Sequence, residues 1–435
     1  MTKDYDAIVI GTGIIGTCTG FELAKRGFKT LNVDKLPAAG YGSTSNTCAI
    51  IRLHYSTPAG VAMARESYFY WIDWGKYIGA YDESGYAKYI NTGCLVTKTE
   101  KNHYLANVMA SLDELNVVYE ELDAEGMRRR LGLIDTRAYG PPVAAADPGF
   151  GKPTGDDVAG AVYIPESGYI NDPQLSCHNV QRGCEAIGGE FRFNAEVVEI
   201  LQESGRTEGV RLADGSEIRA PVVVNVGGPH SFVINRMAGV EEGMNIKTRA
   251  LKQEVCHVPA PEGIDYNALG MLISDGDVGC YSRPEVGNHI LIGSEDPPCD
   301  DFEWVADPDN YDNTFSGQWQ TQVMREAQRL QGLPIPETQQ GLVDLYDVSD
   351  DWIPIYDKSD LPGFYMAVGT SGNQYKNGPV AGQLMAHLIE RVEGGHDHDA
   401  EPLQFHMKYV DRDCDVGFFS RLRTINPDSS FSVIG

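Results

Sequence analysis

The run from Ala7 to Ile10 is short, apolar and β-branched, and Gly11-Thr12-Gly13-Ile14-Ile15-Gly16 follows it without a gap. Phe21, Leu23 and Ala24 continue at helical spacing, and a second apolar run, Thr30 to Val33, ends in Asp34. Three glycines in six positions are common in any turn. Strand, glycine turn, helix and second strand in that order are far more restrictive. In such a unit Gly11 makes the tight turn, Gly13 lets a pyrophosphate approach the backbone, and Gly16 lets the helix pack closely on the sheet. The helix start at Ile14 and Ile15 turns its amides toward the phosphates. An acidic side chain about 20 residues beyond the glycines accepts hydrogen bonds from the ribose hydroxyls, the role expected of Asp34 with Lys35 beside it. The order of elements thus predicts a Rossmann-type dinucleotide-binding unit, and leaves open which dinucleotide it takes.

A chain of 435 residues is too long for one ordinary core, so two domains are expected, and no internal repeat is evident. No stretch approaches the roughly 18 consecutive apolar residues of a membrane span. Asp4 and Asp6 stand where a secretory signal would be basic, which predicts a cytoplasmic protein. Nine cysteines, an odd number without a CxxC pair, read as small buried residues rather than as a disulfide framework or metal site. A net charge of −27 repels nucleic acid and anionic membranes and suits a solvated acidic surface. An anionic substrate would need local positive charge against this field, which directs attention to Arg and Lys inside otherwise uncharged motifs.

Three further segments carry such features. In "AGYGSTSNTCAIIRLHYS", residues 39–56, Ser43, Thr44 and Ser45 offer hydroxyls and amides to phosphates or a ring edge. Arg52 follows an apolar triplet there, either as a charge at the edge of a core or as a surface arginine at a helix end. His54 reads as a satisfied structural histidine. Next, Asn171-Asp172-Pro173 marks a helix start. Beyond it, Val197 lies on a strand expected beside the adenine, and Gly227-Gly228 ends a buried strand passing under the dinucleotide. Finally, residues 362–392 repeat the strand, glycine loop and helix order, with Pro379 at a first helical position. A helix N-terminus there stabilises the anion that builds on a reduced flavin, for which nicotinamide has no counterpart. Gly372, Asn373, Gln374 and Tyr375 form this loop, and Lys376 is its only cation, a second candidate for an anionic substrate.

Together these segments resemble the FAD-dependent amine and amino-acid oxidoreductases, the family of D-amino-acid oxidase, glycine oxidase, dimethylglycine dehydrogenase and sarcosine oxidase. The likeness spans about residues 5–395 and rests on GTGIIG with Asp34, GSTSNTCAIIR, GYINDPQL, VNVGGPHS, YSRPEVGNHILIG, and SDDWIPIYD leading to GTSGNQYKNGP. It implies an α/β fold: a Rossmann-type FAD domain, about 1–90, 150–235 and 345–395, interleaved with an α+β substrate domain, 91–149 and 236–344, holding a mostly antiparallel sheet. The tail 396–435 is expected on the outside or against a second subunit, so a homo-oligomer is compatible with the sequence. Residues 296–319 read as a surface loop covering the pocket and leading into a helix near 320–331. His396 and His398 read as a solvated turn, and no metal is expected.

The strongest likeness is to sarcosine oxidases and their large-subunit relatives, which implies that Arg52 and Lys376 bind a substrate carboxylate over the flavin. Tyr281 and Arg283, by their place in the family's hairpin, and Tyr346 are further pocket candidates, with a purely structural role as the alternative for each. The departures are equally specific. Asp344 stands where monomeric sarcosine oxidases bond flavin to cysteine, and Ser43–Thr47 holds no histidine, so the resemblance implies non-covalent FAD. No histidine stands near Asn171, so no second flavin is expected, and His178 reads as an ordinary helix residue. Leu291 takes the place of a lysine linked to oxygen reduction, which leaves the electron acceptor open between oxygen and another partner. The expected reaction is hydride transfer from a small anionic secondary or N-methylated amino acid to flavin, giving an imine that hydrolyses. A D-amino acid or 2-hydroxy acid on the same fold, or a non-catalytic flavin subunit, are the alternatives.

Overall fold

The computed structural model describes residues 4–99, 102 and 104–435. Its central sheet has six strands in the order Ile355–Lys358, Phe364–Val368, Val222–Asn225, Ala7–Ile10, Thr30–Val33 and Glu190–Arg192. All neighbours are parallel except the first pair. Ala7–Ile10, Thr30–Val33, Val222–Asn225 and Phe364–Val368 are buried along their whole length, as expected for parallel strands covered on both faces. The helices Ile14–Lys25 and Gly378–Glu393 follow the two glycine loops and pack on each other. Gly382 permits this contact, since a Cβ there would meet the Cys18 carbonyl carbon at 2.6 Å.

The second body is a large sheet, ordered Trp304–Val305, Thr248–Pro259, His289–Ser294, Cys280–Glu285, Leu272–Asp275, Cys94–Thr97, Ala161–Ile164 and Glu120–Leu122. Gly341–Ser349 pairs along the long strand Thr248–Pro259, and only Leu272–Asp275 with Cys94–Thr97 is parallel. A smaller sheet joins Ile50–Ile51, Gly168–Ile170 and Tyr89–Asn91. The mostly antiparallel substrate sheet is therefore present. Its boundaries differ from those expected: Ala161–Ile164 lies in the large sheet, not with the 150–235 part of the FAD domain, and Gly341–Ser349 runs across the expected break at 345. Both crossings are unbroken strands, so no turn or linker composition marks where the chain passes between the two bodies.

The helix Pro173–Ala186 starts as its sequence predicts, with the Asp172 carboxylate accepting from the Leu175 amide at 2.9 Å. The helix after the acidic loop spans Gly317–Arg329, and loop residue Asp309 meets Lys35 and His230 rather than the Arg52 region. Residues Gln404–Met407 and Arg412–Asp415 form a hairpin packed against the main core, and the chain then turns inward. Contrary to the expected external tail, Ser432–Gly435 are buried. Among the described residues no helix is long and apolar enough to cross a membrane.

Candidate active site

The first glycine loop shows why each glycine is needed. Gly11 has φ +103°, and a Cβ there would lie 2.2 Å from the Val226 carbonyl oxygen. A Cβ on Gly16 would lie 2.0 Å from the Gly11 carbonyl oxygen, so this position fixes how closely helix and turn approach. Gly13 faces only the Thr44 hydroxyl, at 2.9 Å from an added Cβ. The helix begins at Gly13 without a side-chain cap and without an acidic residue in its first turn, leaving its positive end open to an anion.

A cleft runs from this helix end between the two bodies. Gly13, Ile14, Ile15, Gly16, Ser43, Thr44, Gly228, Gly372, Gln374 and Tyr375 line it, together with Tyr346, which the sequence analysis named as a substrate-pocket candidate. Apolar Val226, Val255, Leu342 and Leu345 complete walls suited to a flat ring system, and backbone glycines stand where a side chain would fill the space. The residues therefore fit a dinucleotide with an extended aromatic head. Asp34 lies outside the cleft wall, its carboxylate accepting from the Thr12 amide at 2.7 Å, the Thr12 hydroxyl at 2.8 Å and the Leu36 amide at 2.9 Å. Lys35 pairs with Asp309 and approaches His230 at 3.0 Å, and lines a separate surface pocket with Arg192 and Asp214. Gly11, Ser45, Val197 and Gly227 are outside the cleft wall: Ser45 donates to the Gly42 carbonyl at 2.8 Å, and Val197 packs on a core beside the sheet.

Asp344, which stands where relatives bond flavin to cysteine, lines this wall, and so do Asn46, Thr47, Gln253 and Asp347, which sequence reasoning did not single out. Asp347 accepts from the Ser231 hydroxyl and the Gly369 amide, both at 2.6 Å, and its burial lifts its pKa to about 7. Asp344 accepts from the Asn46 amide group at 2.8 Å, and burial pushes its carboxyl up too. Two acidic residues three apart in an otherwise apolar strand were the available signal.

Against the cleft, sharing Thr47, Cys48, Tyr346, Gly372 and Tyr375 as common walls, lies a second cavity that holds Arg52 and Lys376. The short strand Ile50–Ile51, entered through Ala49 at φ +48°, delivers Arg52. The loop after Phe364–Val368 delivers Lys376. The ring of Tyr55 lies between them, 4.3 Å from the Arg52 guanidinium and 5.0 Å from the Lys376 ammonium. Lys376 donates to the Tyr55 hydroxyl and the Asn373 carbonyl, each at 2.8 Å, while the Tyr55 hydroxyl donates to the same carbonyl at 2.5 Å. Burial first, and the neighbouring Arg52 second, hold the Lys376 pKa well below the ordinary lysine value.

Arg52 itself is buried, neither at a surface helix end nor free. One terminal nitrogen donates to the His54 carbonyl; the other donates to the Val433 and Ile434 carbonyls at 2.8 and 2.9 Å. The tail thus reaches the site, which no motif in its sequence announced. Tyr281 lines this second cavity with its hydroxyl 3.5 Å from the Cys48 sulfur. Arg283 lines neither cavity. It donates to the Cys48 carbonyl at 2.7 Å, pairs with Glu285 at 2.9 Å and stacks on Tyr169, so the structure gives it the structural alternative. His54 is fully buried, but neither ring nitrogen has a hydrogen-bond partner among the described residues, unlike the satisfied histidine expected. Burial, then Arg52 and Lys376, push its pKa well down, so its ring is neutral. His178 sits in its helix with Nδ1 2.8 Å from Asp82.

A helix-opened phosphate site, a long flat cleft and a cation-bearing cavity against it define a flavoprotein oxidoreductase. The family model described as FAD dependent oxidoreductase matches residues 6–388, and the chain belongs to that family. It is 23% identical to glycine oxidase of Geobacillus kaustophilus over 91% of this chain and 96% of that one. It is 23% identical to monomeric sarcosine oxidase of a Bacillus species, covering 92% and 95%. Among solved structures, L-proline dehydrogenase from P. horikoshii superimposes with a TM-score of 0.74 at 19% identity, covering 97% and 98%. The protein is an FAD-dependent oxidoreductase of the amine and amino-acid oxidising type.

Proposed function

We propose that the chain oxidises the C–N bond of a small secondary or N-methylated amino acid, giving an imine that hydrolyses. One observation supports this reading above others: Arg52 and Lys376 flank the Tyr55 ring in a cavity whose walls are shared with the cofactor cleft. Gly13, Ile15, Thr44, Gly228, Gly372 and Gln374 would hold FAD, with Asp34 at its ribose. FAD when bound supplies a two-electron acceptor that takes hydride. Arg52 would grip the substrate carboxylate through paired hydrogen bonds, with Lys376 as a second positive charge. That grip turns the carbon next to nitrogen toward the cleft, and positioning supplies much of the rate. Two cations beside the bound substrate also disfavour a charged amine, which must be neutral to release hydride. The shared wall of Tyr346, Tyr375 and Cys48 keeps water from the transfer path.

Because Asp344 and Thr44–Asn46 offer no thiol or imidazole at the ring edge, the flavin is held without a covalent bond, and acid precipitation should release all of it. Leu291 packs with Tyr281 and Tyr346 and places no cation at the cleft, which favours an acceptor other than oxygen. The test is anaerobic: sarcosine, dimethylglycine, L-proline, D-amino acids and 2-hydroxy acids are added one at a time to the holoenzyme. Bleaching of the flavin by an N-methyl or secondary amino acid, with slow recovery in air, is the expected result. Bleaching by D-amino acids or hydroxy acids alone would replace the substrate class.

A further inference from the structure

Residues after Arg421 belong to no strand or helix, yet the segment Ser429–Gly435 ends inside the Arg52 cavity. Val433 and Ile434 form part of the cavity wall, and their carbonyls take both hydrogen bonds from one terminal nitrogen of Arg52. A guanidinium grips a carboxylate in a fork in two ways, with its two terminal nitrogens or with Nε and Nη2. Both forks use Nη2, the nitrogen committed to the segment. The room left beside Arg52 is about 40 Å³, where one water needs about 10–15 Å³. With Nη2 held by the segment, a carboxylate can form neither fork with Arg52 while the segment is seated.

The segment is held by the buried side chains of Val433 and Ile434, packed in one apolar cluster with Cys48, Tyr281 and Trp352, and by a small set of hydrogen bonds. The Val433 amide donates to the Asp296 carboxylate at 3.2 Å, the Ser56 amide donates to the Gly435 carbonyl at 3.0 Å, and the Ser430 amide donates to the Ser56 hydroxyl at 3.2 Å. No sheet pairing has to break for it to leave. What it offers Arg52 is two neutral carbonyls, whereas a carboxylate brings an opposite charge and can take two guanidinium nitrogens in a fork.

We propose that Ser429–Gly435 is a displaceable plug that closes the substrate cavity and yields only to a carboxylate. The inference rests on the reading of Arg52 as the carboxylate clamp. A neutral amine lacks the charge to exchange with the plug, so the segment acts as a filter for anionic substrates as well as a cover. If the cavity is open a tenth of the time, the apparent dissociation constant is about tenfold above the intrinsic one.

Acetate is the probe, because it carries the carboxylate and cannot be oxidised. The FAD-loaded full chain is titrated with acetate by flavin difference spectra, and hydrogen exchange is followed in peptides covering 429–435. Acetate should speed exchange of the Val433 and Gly435 amides at least tenfold, and deletion of 429–435 should tighten acetate binding about tenfold. Unchanged or slower tail exchange in the acetate complex would overturn the plug, as would equal or weaker acetate binding by the truncated chain. If the truncated chain does not fold, the exchange experiment on the full chain decides alone. Arg52→Met separates the two ideas: acetate binding that survives this change overturns the clamp reading. Binding that it abolishes, with tail exchange insensitive to acetate in the parent, overturns the plug alone. Acetate binding to neither form overturns both.

Discussion

The two glycine loops are the same device used for opposite purposes. Each follows a buried parallel strand and opens a helix of the same pair, Ile14–Lys25 and Gly378–Glu393. The first loop carries no charged side chain: its glycines bring backbone against backbone, and the helix start meets only the Thr44 hydroxyl, which accepts from the Ile14 amide at 3.1 Å. The second carries Lys376 into a buried cavity against Arg52 and Tyr55. One loop binds through geometry that only the absence of side chains allows. The other binds through charges that need partners from distant segments.

The largest effect should come from breaking the first loop. Gly16→Ala places a methyl 2.0 Å from the Gly11 carbonyl. Backbone cannot yield there, so a cost of at least about 3 kcal/mol is expected, with purified protein free of flavin and a lowered Tm. Gly13→Ala sharpens the contrast: its Cβ meets only the Thr44 hydroxyl within the protein, so Tm should fall less than in Gly16→Ala while the methyl at the phosphate site weakens FAD binding. Retention of flavin by Gly16→Ala would show that the helix does not need its close approach.

Breaking the second loop's partner should spare flavin binding and damage turnover. Arg52→Met removes one side of a buried charge pair with substrate, worth about 2–5 kcal/mol, or roughly thirtyfold or more in kcat/KM. Steady-state kinetics on the bleaching substrate checks it. Arg283→Met provides the control: it leaves Glu285 unpaired in the protein, so it should lower Tm while changing kcat/KM far less than Arg52→Met.

A smaller, graded effect follows from Lys376. Its pKa is pushed down by burial and by Arg52, so above that depressed value the free lysine is neutral. A bound carboxylate favours the charged form, and binding then takes up a proton. Affinity for acetate, itself ionised throughout, should therefore weaken with rising pH, by up to about tenfold per unit. Lys376→Met should flatten the profile. A dependence of the opposite sign would mean that the lysine does not face the ligand.

This contrast also explains what the sequence disclosed. The cofactor end was legible because strand, glycine turn and helix follow one another along the chain, with Gly16 packing on Gly11, even though the contact that demands Gly11 comes from distant Val226. The substrate end draws on Arg52, Tyr55, Ser274, Tyr281, Lys376 and Ile434, brought together by folding. Arg52 and Lys376 could be picked out as cations in uncharged surroundings, whereas Arg283, named from the hairpin's place in the family, ties the hairpin to Cys48. Val433 and Ile434 carry no charge, turn signal or periodicity, and only the path of the chain shows that they reach the site.

The central claim is that the cavity recognises a carboxylate through Arg52 and thereby sets up C–N oxidation. The direct measurement is anaerobic flavin reduction by matched pairs, sarcosine against dimethylamine and L-proline against pyrrolidine, in the parent and in Arg52→Met. The account predicts that at least one carboxylate-bearing member reduces the parent flavin much faster than its truncated partner, and that Arg52→Met erases the difference. Equal reduction by both members of each pair, or a preference that survives in Arg52→Met, would contradict it.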